Sequence, residues 1–407
     1  VLLALAWRNL WRQARRTLLS LFSIAFAATL LVFMLSFQLG VYGQMKENVL
    51  RLFDGYAEFQ APGYADDPDL HKTIADPAKL SREAETIPGV AAAAPRVNTF
   101  AILSNGQKSI GAAVIGVDPA RERKVSSLAS AIVAGRYLLP SDGGSAVLGD
   151  ALARNLGVSV GEKVTLLGSG YDGSVAADVL TVVGLYRSGI PDIDRTLMEM
   201  PLARAQATFS LGDRANTLAL SGPTLAGVEA SQATLKDLGT RHGAALRDWG
   251  ALEPALRDSI QLKYVTTALI YATLVFVVAF IILNTLLMSV LERTREFGVL
   301  LAIGMRPSQI GGMVWLELLA LALLGGVAGI VVGSAMTLWF VHHGIGMGAN
   351  MDQVLRQFAM PTRLYPSMSP LSVLLGPAVI VLAICAGGLV PYLHVRRLVA
   401  SAAMRAS

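Results

Sequence analysis

Residues 264–310 read YVTTALIYATLVFVVAFIILNTLLMSVLERTREFGVLLAIGMRPSQI: 28 residues without an acidic or basic side chain, then four charges within five residues, then an apolar run that stops at Gly304 and Pro307. At 1.5 Å per residue the uncharged part reaches about 42 Å, more than the roughly 30 Å hydrocarbon layer of a bilayer. It reads as a spanning helix that empties into a short charged link. The 29 residues between Arg16 and Lys46, the stretch after Glu317 and the stretch after Arg363 meet the same length criterion, so four spans are expected. The bulk composition agrees: 53% of the 407 residues are hydrophobic, mean hydropathy is +0.53, and 15% are charged against about 25% in soluble domains. That excludes a disordered or nucleic-acid-binding tail protein. A lone cysteine, Cys385, excludes a disulfide framework and a multi-cysteine metal centre.

Charge placement sets the sidedness. Residues 46–263 hold 22 Lys/Arg and 25 Asp/Glu, whereas the remaining chain holds 12 cations and 4 acids. Arg8, Arg12, Arg15 and Arg16 precede the first span, Arg293, Arg295 and Arg306 follow the second, and Arg396, Arg397 and Arg405 follow the fourth. The link between spans three and four has only Arg356 and Arg363, with Asp352. Cations concentrate on the cytoplasmic side, and long domains cross irrespective of charge, so both termini are expected inside and the insert outside. No nucleic-acid partner is expected.

The fold class is therefore a polytopic α-helical membrane protein with four transmembrane helices and a large mixed α/β extracytoplasmic domain between helices 1 and 2. The expected segments are an interfacial helix at 1–16, spans at 17–45, 264–291, 310–341 and 372–395, the outer domain at 46–263, a short cytoplasmic helix at 292–309 linking two spans, an outer loop at 342–371 and a tail at 396–407. The first apolar run is too long for a signal peptide and lacks a small-residue cleavage site, so it is read as retained. Val1 in place of Met is expected to reflect processing or trimming. The opening Leu/Trp/Arg segment suits a helix in the inner headgroup layer, where membrane lipids are its partner, with continuation of span one as the plainer reading.

Met45, Val49, Leu50 and Phe53 extend the first helical pattern, and Leu252, Leu256 and Ile260 lead into the second span; the two form either a stalk or independent capping helices. Strands are expected at 101–103, 112–117, 164–167 and 179–185, and a helix at 151–156. The sequence from 217 to 249 reads as strand, helix over 225–238, and strand, a separate small subdomain. Residues 61–80 read as an exposed loop. Gly325, Gly329 and Gly333 form a small-residue row on span three, and Pro377 and Pro391 are expected to bend span four and mark its inner end.

No catalytic constellation is found. The run at 157–163 lacks phosphate-loop spacing, there is no G-x-S-x-G elbow, and His71, His242, His342, His343 and His394 lack metal-ligand spacing. Glu317 is the one acid within a span; a carboxylate there costs about 2.5–3.5 kcal/mol on insertion scales and calls for a partner, either structural or proton-linked. Asn284, Thr285 and Ser289 are candidate interhelical hydrogen-bond partners.

Residues 284–333 resemble the FtsX-like permease domain of the MacB/LolC/LolE class of ABC transporters. The likeness lies in Asn284, the run Glu292-Arg293-x-Arg295-Glu296-Phe297-Gly298, Ala302-Ile303-Gly304, Glu317 and the glycine-rich span that follows. Ala6-Trp7-Arg8-Asn9-Leu10 with Arg15-Arg16-Thr17 is similar to that family's start, and the basic tail after Pro391 to its end. Gly116-Val117-Asp118-Pro119 and residues 149–163 are similar to the MacB-type periplasmic core domain.

The resemblance implies a permease subunit, not itself an enzyme, in the bacterial inner membrane. Its partners would be separate ABC ATPase subunits that bind ATP and Mg, a second permease copy, and a periplasmic carrier or adaptor protein. Residues 292–308 would dock on the ATPase, with Glu292, Arg293, Arg295, Glu296, Phe297, Gly298, Gly304 and Met305 as coupling residues. ATP-driven closure would then move the outer domain and extract a lipoprotein or lipid-like amphiphile. MacB-like peptide or drug efflux, and signalling to cell-wall hydrolases without transport, are the rival readings.

Overall fold

Apolar length and capping chemistry account for most of the helices. The computed structural model describes residues 2–12, 14–346, 348, 362–389, 392 and 393, without the side chains of residues 2–6, Arg16, Thr285, Leu286, Ser289 and Leu291. Asp352, Arg356, Pro391, His394, Arg396, Arg397 and Arg405 lie outside the described residues, as do the side chains of Thr285 and Ser289 as bonding partners. The chain divides into two compact units: Val1–Gln44, Ser259–Gly346 and Arg363–Ser407 form one, Met45–Asp258 and Met347–Thr362 the other.

The first unit is built from helices α1 (Leu2–Arg12), α2 (Ala14–Leu52) up to Gln44, α11 (Pro254–Glu292) from Ser259, α12 (Thr294–Ala302), α13 (Pro307–His343) and α14 (Pro370–Gly387), with a two-residue pairing of β11 (Ile345–Gly346) and β12 (Arg363–Leu364). Four of them, over Thr17–Leu52, Pro254–Asn284, Pro307–His343 and Pro370–Gly387, are long and apolar enough to cross a membrane. The helices run past the bounds read from charge alone: at about 58 Å each, the 39 residues of α2 and of α11 exceed the hydrocarbon thickness, since helix propensity does not stop where the bilayer does. The link at 292–309 is not one helix either, but the nine-residue α12, a turn at 303–306, and the first residues of α13.

Ile24, Ala28 and Leu31 of α2, Val275 and Ile282 of α11, Leu318 and Ala322 of α13, and Ile380 and Ile384 of α14 close the core of this unit together with Leu10 of α1. The row Gly325, Gly329 and Gly333 lies along α2. A Cβ on Gly329 would stand 2.3 Å from the Cβ of Ala28, and one on Gly325 2.6 Å from Ile24. Higher up, the Tyr271 hydroxyl donates to Gln38 at 3.2 Å, and Tyr42 and Thr267 share a hydrogen bond at 3.3 Å, joining α2 to α11. Pro377 lies inside α14, which is continuous around it.

The second unit contains, in chain order, β1 (Ala57–Gln60), α3 (Pro77–Ala84), β2 (Ala92–Ser104), β3 (Ser109–Val117), α4 (Pro119–Val125), β4 (Ile132–Gly135), β5 (Ser145–Gly149), α5 (Asp150–Leu156), β6 (Lys163–Ser169) and β7 (Val175–Tyr186). There follow α6 (Pro191–Thr196), β8 (Leu197–Pro201), α7 (Leu202–Thr208), β9 (Thr217–Ser221), α8 (Leu225–Ala230), α9 (Gln232–Arg241), β10 (Ala245–Asp248) and α10 (Trp249–Leu252). Strands β1 to β10 form one ten-stranded sheet in the order β10-β1-β9-β2-β3-β8-β5-β7-β4, with β6 joined to both β2 and β7. That double pairing closes β2-β3-β8-β5-β7-β6 into a six-stranded ring. Its inner face is filled by Val97, Leu103, Val114, Leu148, Leu166, Leu180 and Met198 among others.

Two expectations change here, and a third is refined. Residues 217–249 are not a separate subdomain, because β9 pairs with the first half of β2, whose second half belongs to the ring. The helix expected over 225–238 breaks at Ser231, whose hydroxyl donates to the Pro88 carbonyl at 2.5 Å. Residues 61–76 are the expected exposed loop, and only 77–80 depart from it, as the start of α3; polar contacts hold the loop: the Lys72 ammonium donates to Gly63 and Asp67, the Asn216 amide donates to the Lys72 carbonyl at 2.9 Å, and Asp76 caps α3.

Beside the ring lies a polar cluster with no sequence signal. Arg96 is buried and donates to both oxygens of Glu122, at 3.1 and 2.6 Å, and to the Phe53 carbonyl. Burial pushes Glu58 up, and pushes Asp54 up to about 7 with help from Glu253. Glu199 on β8 is fully buried, and both of its oxygens lack a hydrogen-bond partner among the described residues.

Candidate coupling site

α12 is short because both ends are chemically terminated. Arg293, in a non-helical conformation, separates it from α11, and at the other end Gly304 has φ +104°, in the region that a side chain disfavours. The Gly304 and Met305 amides donate to the Leu301 and Leu300 carbonyls, so the helix closes in a left-handed cap before Pro307 starts α13. Open space surrounds the position of a Cβ at Gly304, so backbone conformation, not crowding, requires glycine there.

One side of α12 is anchored. Phe297 and Gly298 are buried, and Phe297 packs with Val290, Ile310, Met313 and Val314, with Leu300, Leu301 and Met305 at the margin. The other side is open. Arg295 and Glu296 are exposed, as are Val299 at 48% and Ile303 at 77%. The two exposed apolar residues were not singled out from sequence; their spacing of four places them on one helical face, and that was the available signal.

Behind α12 a chain of polar contacts joins three helices. The Asn9 amide on α1 donates to Glu317 Oε1 on α13 at 2.6 Å, and Arg293 Nη1 donates to Glu317 Oε2 at 3.2 Å. Arg293 also reaches Glu296 at 3.4 Å and lies over the Phe297 ring at 5.4 Å, and Arg12 stands 3.6 Å from Glu296. α1 thus supplies both ends of the chain. The inner pair is the demanding one, since Arg293 and Glu317 are both largely shielded from water and removing either strands the other's charge. The outer pair is exposed on both sides and contributes little to stability. Glu317 therefore has two structural partners within the unit.

The remaining expected site residues are scattered. Asn284 is exposed on α11 and forms no hydrogen bond among the described residues, and Glu292 is exposed at the end of α11. Gly325, Gly329 and Gly333 lie on the far part of α13, against α2. Among the described residues no group of His, Cys, Asp or Glu has the arrangement of a metal site.

α12 is thus an anchored helix with an open outer face, set between two spans. Residues 17–238 match the MacB-like periplasmic core domain, and residues 268–400 the FtsX-like permease C-terminal domain. The lipoprotein-releasing system transmembrane protein LolC of Neisseria meningitidis is 28% identical over 78% of this chain and 76% of its own. The corresponding LolE of Haemophilus influenzae is 24% identical over 82% of each. The macrolide export ATP-binding/permease protein MacB 1/2 of Paracoccus denitrificans is 26% identical over 65% of this chain and 40% of its own. The chain is a membrane permease component of an ABC-type transporter with an extracytoplasmic domain, and it belongs to the MacB/LolC/LolE class of FtsX-like permeases.

Proposed function

We propose that this permease converts ATP-driven closure of separate ATPase subunits into movement of its extracytoplasmic domain, and that its cargo is a lipoprotein or similar amphiphile taken from the membrane. The observation that carries the reading is α12: its inner face is locked by Phe297 and the Arg293–Glu317 pair, and its outer face offers Arg295, Val299 and Ile303. ATP favours the closed ATPase dimer, and a partner seated on that outer face passes the closure on as a displacement of α11 and α13. Two permease copies, with both termini cytoplasmic and ATP and Mg held by the ATPases, complete the assembly.

Two observations support an amphiphilic cargo. Two relatives that are similar along most of their length are named for lipoprotein release. Glu317, on α13, is engaged by Asn9 and Arg293 of the same unit, which is the behaviour of a structural rather than a cargo-binding acid. MacB-like export is the second reading, favoured by the core-domain match over 17–238.

Proteoliposomes holding the permease and its ATPase test the proposal. ATP is expected to release a lipidated protein from the bilayer, whereas expulsion of a soluble peptide or macrolide instead would favour export. Glu296→Lys and Gly304→Pro should lower the permease-stimulated ATPase rate about tenfold while leaving membrane insertion intact, because proline cannot adopt a positive φ. Undiminished stimulation in assembled variants would remove α12 from the coupling path.

A further inference from the structure

α1 presents two surfaces. Leu10 is buried in the core and Asn9 holds Glu317, while Trp7, Arg8, Trp11 and Arg12 are exposed. At 100° per residue, Trp7 and Trp11 share one flank and Arg8 and Arg12 the neighbouring one. The indoles meet edge to face at 6.1 Å, each half exposed, and Arg15 is exposed at the start of α2. Among the described residues Arg8 and Arg15 form no ion pair, and Arg12 has only the loose 3.6 Å contact with Glu296.

We propose that α1 and the first turn of α2 bind anionic phospholipid headgroups through Arg8, Arg12 and Arg15, and that this occupancy strengthens coupling. Indole rings settle at the headgroup level of a bilayer, and guanidinium groups pair with phosphate oxygens through parallel N–H donors. A tryptophan flank beside an arginine flank, on a helix packed at the cytoplasmic end of α13, combines both chemistries. The occupant is the lipid rather than a soluble anion because the tryptophans carry the apolar half of the match. Arg12 links the surface to the coupling site: when phosphate takes its guanidinium, Glu296 keeps only the 3.4 Å contact with Arg293 and is more open to the docking partner, while Asn9 keeps α1 on Glu317. This regulatory half rests on the function proposed above; the lipid site does not.

The test uses the permease with its ATPase in nanodiscs of phosphatidylcholine alone or mixed with phosphatidylglycerol. Brominated phosphatidylglycerol is expected to quench tryptophan fluorescence more than brominated phosphatidylcholine. The preference should weaken about fivefold for each arginine removed, and so about twenty-fivefold in Arg8→Gln/Arg15→Gln, whose substituted side chains are exposed. Stimulated ATP hydrolysis should rise about fivefold with phosphatidylglycerol, and the rise should be absent in the double variant. Equal quenching by the two lipids, or an unchanged preference in the variant, overturns the lipid site. Loss of ATPase association by the variant in neutral nanodiscs also overturns it, by assigning the arginines to the ATPase. A lipid preference without any response of hydrolysis upholds the site and overturns its regulatory half.

Discussion

Glu199 is the residue whose environment departs furthest from its chemistry. It lies on β8 between Ile115 of β3 and Val147 of β5, with neither oxygen hydrogen-bonded among the described residues. Burial pushes its ionisation up to about 8, and the nearby Glu122 adds to the shift, although the adjacent Tyr137 hydroxyl and Arg96 oppose it. An unfolded glutamate ionises near 4.5, so between about 4.5 and 8 the folded chain holds this proton more tightly. The contribution of Glu199 to stability therefore falls as pH rises through that window. Glu199→Gln, which cannot ionise, should raise the unfolding midpoint by about 2–8 °C at pH 8 and by much less at pH 5. An equal change at both pH values would show that Glu199 is ionised in the fold. Burial of this kind is invisible in Leu-Met-Glu-Met-Pro, where the acid and the proline argue against a strand.

Among the elements, α13 shows how far spacing can be read. Three glycines at intervals of four predict a close approach, but not which helix approaches; the answer is α2, through Ile24, Ala28 and Val32. Gly329→Leu forces a side chain into the space of Ala28 and should cost about 1–3 kcal/mol, with a lower melting temperature in detergent. Gly312→Leu on the same helix meets open space and serves as the control. Matching losses in the two variants would mean that the substitution perturbs α13 itself rather than its contact with α2. α12 was legible as a charged segment with an apolar continuation. Its actual length was set by Arg293 and by the positive φ of Gly304, both backbone features that hydropathy does not carry.

At the scale of the molecule, the extracytoplasmic part owes its integrity to closure. With β6 paired to both β2 and β7, the six-stranded ring leaves no free edge of its own, and the sheet ends at β10 and β4. Residues 45–258 should accordingly fold as a soluble fragment with mixed α/β circular dichroism and one cooperative unfolding transition. Aggregation or gradual melting of the fragment would show that the membrane helices are needed to hold the ring shut. Local patterning alone established four apolar stretches long enough to span a bilayer, the charged hinge after the second, and a water-compatible insert after the first, since hydropathy and helical period act within some twenty neighbouring residues. The ring closure, the burial of Glu199 and the meeting of Asn9 with Glu317, 308 positions away, came only with the folded chain. Each depends on which distant surfaces pack together, and packing is chosen by the sum of many contacts that no single stretch contains.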